Sequence, residues 1–572
     1  MSRHFQGTLA ELAQAVELHK AGRLAEAEKL YARCLAAEPH NAAALNNAAA
    51  AALQSGDARL AIERFEKLVA VHPENAQGHS NLGYALLQAD RADEALRALT
   101  RAVELDPRYA LAYNNLGIAH ERMLRRDEAI RAFERALELE PGYADAAANL
   151  GEIWNREGDT ARARPVLERA LAAQPSHTGA RAALAATDAL GGRLDDARAA
   201  LERIVASAPR EPLFWSVLGA LRTWAGDAAA GESAYRTALR LAPQDPRAAL
   251  GVAGSLLARG DFADGWRAFE QRPDGCYGAP TRFADIAQWN GQPIAGRLLL
   301  TCEQGLGDTV QFARFVVLAR ERVQRLSFLV DGPRRSLAPL LATLSGVDDL
   351  ATDEAALAGL PDRPLARASV LSLPYLLGLR VEALPGPIPY LSAPEPAVAA
   401  WQPRLEAIPG LRIGLAWAAY ARRDMGYVTR QKSVPPDALG AALASSHASF
   451  VSLQVGPAAK LEPRGGLARI VDLASGIRDF GDTAAIIAGL DLVISSDTSV
   501  AHVAGALGKP VWMLDRYNTC WRWRLASDRS PWYPTMRIFR QARFGDWSDP
   551  LARVKAALAA FERDATAGFV AT

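Results

Sequence analysis

LDLVISSDTSVAHVAGALGKPVW, residues 490–512, holds a strand, a polar turn, a helix and a second strand in one short unit. Asp491 to Ser495 is an apolar run with β-branched Val493 and Ile494, the pattern of a strand buried on both faces of a parallel sheet. Ser496, Asp497, Thr498 and Ser499 are helix-capping residue types, Val500 to Leu507 carries small and apolar residues at helical spacing, and Gly508 ends the run. Lys509 and Pro510 lead into a second strand from Val511 to Leu514. Free backbone N–H groups and the positive end of the helix dipole then meet at the Asp497 turn, which makes it a seat for an anion such as phosphate.

Upstream of this unit, Arg412 to Trp417, Ser449 to Gln454 and Arg469 to Leu473 read as further strands. Between the first two lies a polar loop, Tyr420 to Ser433. Chain order places its Arg430 and Lys432 within reach of a diphosphate at the Asp497 turn, Arg as a fork and Lys as a point charge; a plain solvated loop is the competing reading. Downstream, Tyr517 to Trp547 mixes Trp521, Trp523, Trp532, Tyr533 and Trp547 with arginines, and Asp549 to Ala565 reads as a final helix. Arginine with aromatics suits stacked bases, but closing a cleft is the better use of these tryptophans, and no nucleic-acid partner is expected. His502 falls one turn into its helix on the apolar side, so packing is expected there ahead of ligand contact.

A second set of strand and helix signals lies nearer the middle. Arg297 to Cys302 is a short buried strand, QGLGD at 304–308 a glycine loop, and Thr309 to Arg322 helical; Leu326 to Asp331 and Pro333 to Leu344 repeat the pattern. Such alternation gives a doubly wound parallel sheet with ligands at the carboxyl ends of its strands, where Asp308 sits. Asp308 is read either as a helix cap or as a functional carboxylate. Residues 384–411 are proline-dense and read as a helix-poor linker, and residues 273–292 as a joint.

The N-terminal half follows another rule. Pro39, Pro73, Pro107, Pro141, Pro175, Pro209 and Pro243 recur every 34 residues, with Ala27, Ala61, Ala95, Ala129, Ala163 and Ala197 and the large residues Tyr31, Phe65, Leu99 and Phe133 in the same frame. Gly22, Gly56, Gly158, Gly192, Gly226 and Gly260 mark the turns between paired helices. This frame resembles the tetratricopeptide repeat. Asn47, Asn81, Asn115 and Asn149 share one position in four successive repeats and should line the concave surface, where amides can pair with an extended peptide backbone or, alternatively, serve contacts within the array.

The totals exclude several classes. At 572 residues, with half of them hydrophobic and a net charge of +1, the chain suits several globular domains and not a protein devoted to a polyanion. Its four cysteines are scattered, the N-terminus has no apolar leader-like core, and no run approaches the ~18 apolar residues of a membrane span, so a cytoplasmic protein without membrane span is expected.

The run EQGLGDTVQFARF resembles the N-terminal loop of heptosyltransferase-like glycosyltransferases, and Asp497, Thr498, His502, Ala506 and Leu507 resemble that family's second motif. The chain departs from the motif at Ser499, where the family has Gly. The resemblance implies a GT-B module, with Asp308 as the base acting on the acceptor, and with Asp497, Thr498, Ser499, Lys432, Arg430, Gly305 and Gly307 around the donor diphosphate. Donor contacts from His502, Arg522 and Arg524 are candidates. The asparagine row resembles that of the O-GlcNAc transferases, which implies a protein acceptor on Asn47, Asn81, Asn115 and Asn149.

The expected fold is therefore a tetratricopeptide α superhelix (1–272), a joint (273–292) and two doubly wound α/β halves of a GT-B module (293–383 and 412–572) joined by a linker (384–411). The expected function is inverting transfer of a sugar from a nucleotide sugar to Ser or Thr of a protein, flagellin or another surface protein among the acceptors. A non-catalytic repeat scaffold with a relict GT-B domain is the alternative. No Asp-x-Asp motif ends a candidate strand, so neither a metal nor another cofactor is expected.

Overall fold

The computed structural model describes residues 3–272, 283, 285–360, 362–380, 388–419, 431–456, 470–524 and 527–570. The chain divides into two compact units, with the break between Thr187 and Asp188 inside the repeat series.

The first unit is made of helix pairs such as Ala42–Gln54 with Ala58–Val71 and Ala76–Gln88 with Ala92–Leu105. Side-chain caps begin many of these helices: Asn41 accepts from Ala44 N–H at 3.0 Å, Asp57 from Leu60 N–H at 3.0 Å and Asn75 from Gly78 N–H at 2.8 Å. The repeated alanines and large residues are the core, with Ala61, Ala95, Ala129, Leu99 and Phe133 all fully buried. Close approach of the paired helices depends on glycine, because a Cβ at Gly117 would stand 2.6 Å from the Phe133 ring. The inter-helix turn is left-handed at Gly22, Gly56 and Gly158, and the same 34-residue position holds Asp90 at φ 57° and Leu124 at φ 58°. Those two repeats keep the turn without the residue that adopts it freely.

The second unit carries the repeats onward, through helices Leu194–Ser207, Pro212–Trp224, Ala228–Leu241, Pro246–Arg259 and Phe262–Phe269. Two wholly parallel sheets follow. The first contains β1 (Ala287–Gln288), β2 (Ile294–Thr301), β3 (Val323–Leu329), β4 (Asp349–Ala351) and β5 (Ala366–Ser369) in the order β1-β5-β2-β3-β4. The second contains β6 (Arg412–Ala416), β7 (Ser449–Ser452), β8 (Ile470–Asp472), β9 (Leu492–Ser496), β10 (Val511–Asp515) and β11 (Met536–Arg540) in the order β11-β10-β9-β6-β7-β8. Strand order reverses at the β2/β5 pair, where Thr301 is in register with Ser369, and at the β6/β9 pair, where Ala416 is in register with Ser495. These are the crevices where a doubly wound sheet takes ligands.

Two expectations need correction. The linker is not helix-poor: Glu395–Glu406 is a helix that buries Trp401 and Leu405, and the Trp401 indole N–H donates to Asp482 Oδ1 at 2.9 Å. Its prolines do not break it because Pro396 lies in the first turn, where no intrahelical N–H is required, and the apolar face offsets the loss at Pro403. The joint, in turn, ends inside the first sheet, since β1 pairs with β5.

The last repeat is continuous with the sheet core. Trp266 of the Phe262–Phe269 helix meets Trp521, Phe312 and Trp532 edge-on at centroid distances of 5.4, 5.8 and 6.5 Å. Arg272, just past that helix, is ion-paired with buried Glu303 at the end of β2, and Ser369 also hydrogen-bonds Glu303. A buried pair of this kind fixes register at the junction, and removing either partner would leave an uncompensated charge.

Candidate active site

The stretch Gln304–Asp308 turns from β2 into the helix Leu306–Ala313, and Asp497 and Thr498 turn from β9 into the helix Ser499–Ala506. Both helices follow a buried strand, and the first N–H groups of each have no intrahelical acceptor. The two helices pack on each other. They meet closely at Gly307, where a Cβ would stand 2.7 Å from Cδ2 of the His502 ring. The glycine loop of one half is thus shaped around a side chain of the other.

Asp308 is the third residue of its helix. Its Oδ2 accepts from Gly305 N–H at 2.9 Å, and its Oδ1 is ion-paired with Arg522 from the second half. Arg522 is held in turn by Gln311 Oε1, at 2.9 Å, and by Cys520 Sγ. Both carboxylate oxygens of Asp308 therefore have partners, yet each keeps a second lone pair for a hydroxyl donor.

In the second half Asp497 is buried and pairs with Lys432 Nζ at 2.7 Å. Burial pushes its carboxyl up, but the charge and hydrogen bond of Lys432, with the nearby His502 and Arg516, together outweigh this and hold it well below the ordinary carboxylate range. Thr498 opens the helix in extended conformation and its hydroxyl lies 3.0 Å from Ser495 Oγ. Next to this turn, Ser496 Oγ and Trp417 Nε1 are buried without a partner among the described residues, at the ends of β9 and β6. Such orphaned polar atoms at the strand crossover suit a polar guest.

His502 is buried, and its Nδ1 lies 3.0 Å from the Tyr533 hydroxyl. Burial lowers its pKa to about 4, against the opposing pull of Asp497 and Asp308, so the ring is neutral at pH 7. Packing is satisfied, as expected from its helical position, but the ring also faces the boundary between the halves. Tyr533 belongs to the aromatic stretch noted from sequence, but its contact with His502 is not legible there, and nothing local announces Tyr390. Arg524 lies over the Phe262 ring at 5.4 Å, against the last repeat, whereas Arg522 is the arginine brought to Asp308. Arg430 lies outside the described residues.

The asparagine row is partly occupied by the array itself. Asn81 Nδ2 donates to Asn46 Oδ1 at 2.8 Å and Asn149 Nδ2 to Asn114 Oδ1 at 3.1 Å, each to the preceding repeat. Asn115 is buried, while Asn47, Asn81 and Asn149 are half-buried. Asn81 also lines an open cavity of about 560 Å³ with Gln54, Phe65, Tyr84 and Gln88. Among the described residues no helix is long and apolar enough to cross a membrane.

Residues 457–543, which take in β8 to β11 and the Asp497 turn, match the model of glycosyltransferase family 9 (heptosyltransferase). Residues 47–110, 83–125, 114–178 and 155–221 match tetratricopeptide-repeat models. The chain thus combines tetratricopeptide repeats with a stretch that matches glycosyltransferase family 9. Over 335 residues it is 32% identical to the protein FlbA of Caulobacter vibrioides, covering 54% of each, so it spans about half the length of this curated relative. Among solved structures it is similar to MamA, at 28% identity over 28% of this chain and 94% of that one with a TM-score of 0.26. The repeat protein TTC0263 of Thermus thermophilus is 26% identical over 32% of this chain and 98% of its own, with a TM-score of 0.29.

Proposed function

We propose that this protein transfers a sugar from a nucleotide-sugar donor to a Ser or Thr hydroxyl of a protein acceptor engaged by the repeats, with inversion at the anomeric carbon. The observation that carries the reading is the meeting of a carboxylate from one sheet, Asp308, with an anion seat on the other, the Asp497 turn, through Arg522 and His502. In this reaction Asp308 takes the hydroxyl proton while the acceptor oxygen bonds to the sugar carbon, and the diphosphate departs from the opposite face with the bonding electrons. The N–H groups of Thr498 and Ser499 and the Lys432 ammonium receive the developing charge, with Arg430 joining them by its place in the chain. Gly305 and Gly307 keep the acceptor loop narrow, and Asp497 fixes the turn by holding Lys432. Asn47, Asn81, Asn115 and Asn149 contribute their remaining amide capacity to the acceptor backbone. No metal or nucleic acid takes part.

The competing reading, a scaffold whose GT-B fold no longer catalyses, is favoured by one observation: Asp308 with Arg522, and Asp497 with Lys432, already neutralise each other. Mass spectrometry of candidate acceptors, flagellin or another surface protein, incubated with the full chain and a panel of nucleotide sugars separates the two. Transfer is expected with wild type and is lost in Asp308→Asn, while the thermal shift given by the nucleotide persists in both. Near-normal transfer by the variant removes Asp308 from the mechanism, and no thermal shift with any nucleotide favours the scaffold.

A further inference from the structure

A line of hydroxyls links the two halves behind the site. The Tyr390 hydroxyl donates to Val310 O at 2.9 Å, inside the helix that follows the glycine loop, so its single proton is committed. Tyr533 OH then has two acceptors: Tyr390 at 3.5 Å, beyond good hydrogen-bond range, and His502 Nδ1 at 3.0 Å. Its proton goes to His502. An imidazole that accepts at Nδ1 carries its proton at Nε2, and the Cδ2–Nε2 edge is the one turned toward Gly307 of the glycine loop. The ring is clamped in that attitude by Trp523, whose ring lies 5.3 Å away and tilted 36°, and by Tyr533 itself. Tyr533 is fully buried, and its ring packs against Gly505 of the helix that carries His502.

We propose that Tyr533 is a positioning residue that fixes His502 as the Nε2–H tautomer, so that a neutral ring N–H is presented to a diphosphate at the Thr498 turn. The diphosphate part rests on the reading above; the tautomer part does not. A neutral donor suits this place because Lys432 already supplies charge, and a further cation would bind the nucleotide product as firmly as the transition state. The arrangement also explains why a histidine on the apolar side of its helix is, among the described residues, hydrogen-bonded at one ring nitrogen only.

The test uses the full chain labelled with ¹⁵N-histidine, the His502 resonances being assigned by their loss in His502→Gln. Long-range ¹⁵N–¹H spectra without ligand are expected to show the Nε2–H tautomer in wild type. Tyr533→Phe is expected to shift the population toward Nδ1–H and to weaken binding of inorganic pyrophosphate by about fivefold, the worth of roughly one neutral hydrogen bond. Tyr390→Phe, which loses a buried hydroxyl in the same line, leaves the tautomer unchanged and so controls for general loosening. An Nδ1–H wild type, or a Tyr533→Phe protein with unaltered tautomer, overturns the proposal. A wild type that shows the expected tautomers but binds no pyrophosphate overturns the diphosphate part and the glycosyl-transfer seat with it, leaving the tautomer assignment standing.

Discussion

The glycine loop at 304–308 and the polar turn at Asp497 and Thr498 are built on one plan, a buried parallel strand running through a short turn into an eight-residue helix, yet they handle charge in opposite ways. Asp308 leans back on its own loop and takes its cation, Arg522, from the other half; its side chain is 21% exposed. Asp497 is 7% exposed and takes Lys432 from its own half. A partly exposed carboxylate with a borrowed partner can exchange that partner for a substrate proton, and a buried one with a local partner is fixed. On the proposed function the difference separates a reacting group from a structural one, although sequence presents both as Asp at the mouth of a helix.

The sharpest way to break the comparison is to neutralise each carboxylate. Asp308→Asn is expected to lower the turnover rate by about 10²-fold or more, the typical worth of a positioned general base; a purified, folded variant retaining most of its turnover breaks it. Removing the cations comes next. Lys432→Ala strands a buried carboxylate and should cost about 3 kcal/mol in urea unfolding, whereas Arg522→Ala leaves Asp308 near solvent and should cost about 1 kcal/mol. Equal losses would mean that the two pairs do the same job. Smaller again is Gly307→Ala, whose new methyl group meets the His502 ring; it should cost about 1–2 kcal/mol, and His502→Ala in the same chain should return part of that loss. Strict additivity of the two substitutions would show that the halves do not touch there.

What sequence disclosed depended on whether the cause was local. Strands β2, β3, β6, β7, β9 and β10 are dense apolar runs and were readable, as were the 34-residue frame and its turns. Strand β5 was not: Ala366-Arg367-Ala368-Ser369 has no β-branched residue, and it is a strand because β1 and β2 flank it. The helix Glu395–Glu406 was hidden by prolines whose cost depends on position. Asp308 and Lys432 could be named because a loop after a strand has few places to go. The pairings of Tyr533 with His502 and Tyr390, and of Arg522 with Asp308, could not be read, since each contact spans more than 30 residues of chain, and 214 of them for Arg522 with Asp308. The asparagine row shows a subtler limit, in that its register was readable while its use was not, because Asn46 and Asn114 compete with any guest for the same amides.

Acid should separate His502 from Asp497 as well. Burial lowers the His502 pKa from 6.5 to about 4, so between those values the unfolded chain binds a proton that the folded chain refuses. Stability contributed by the neutral ring is complete above about pH 6.5 and falls as pH drops toward 4. Asp497 is shifted downward too, but from a lower start: its contribution holds above the unfolded carboxylate value of about 3.9 and is lost only below it. Urea unfolding of wild type and His502→Gln at pH 7, 5.5 and 4.5 should therefore show a shallower loss for the variant across the whole interval. The difference should arise before any carboxylate of the seat titrates. Parallel loss in the two proteins would mean that the ring is protonated or open to solvent in the folded state, and the neutral N–H assigned to it would then have no basis.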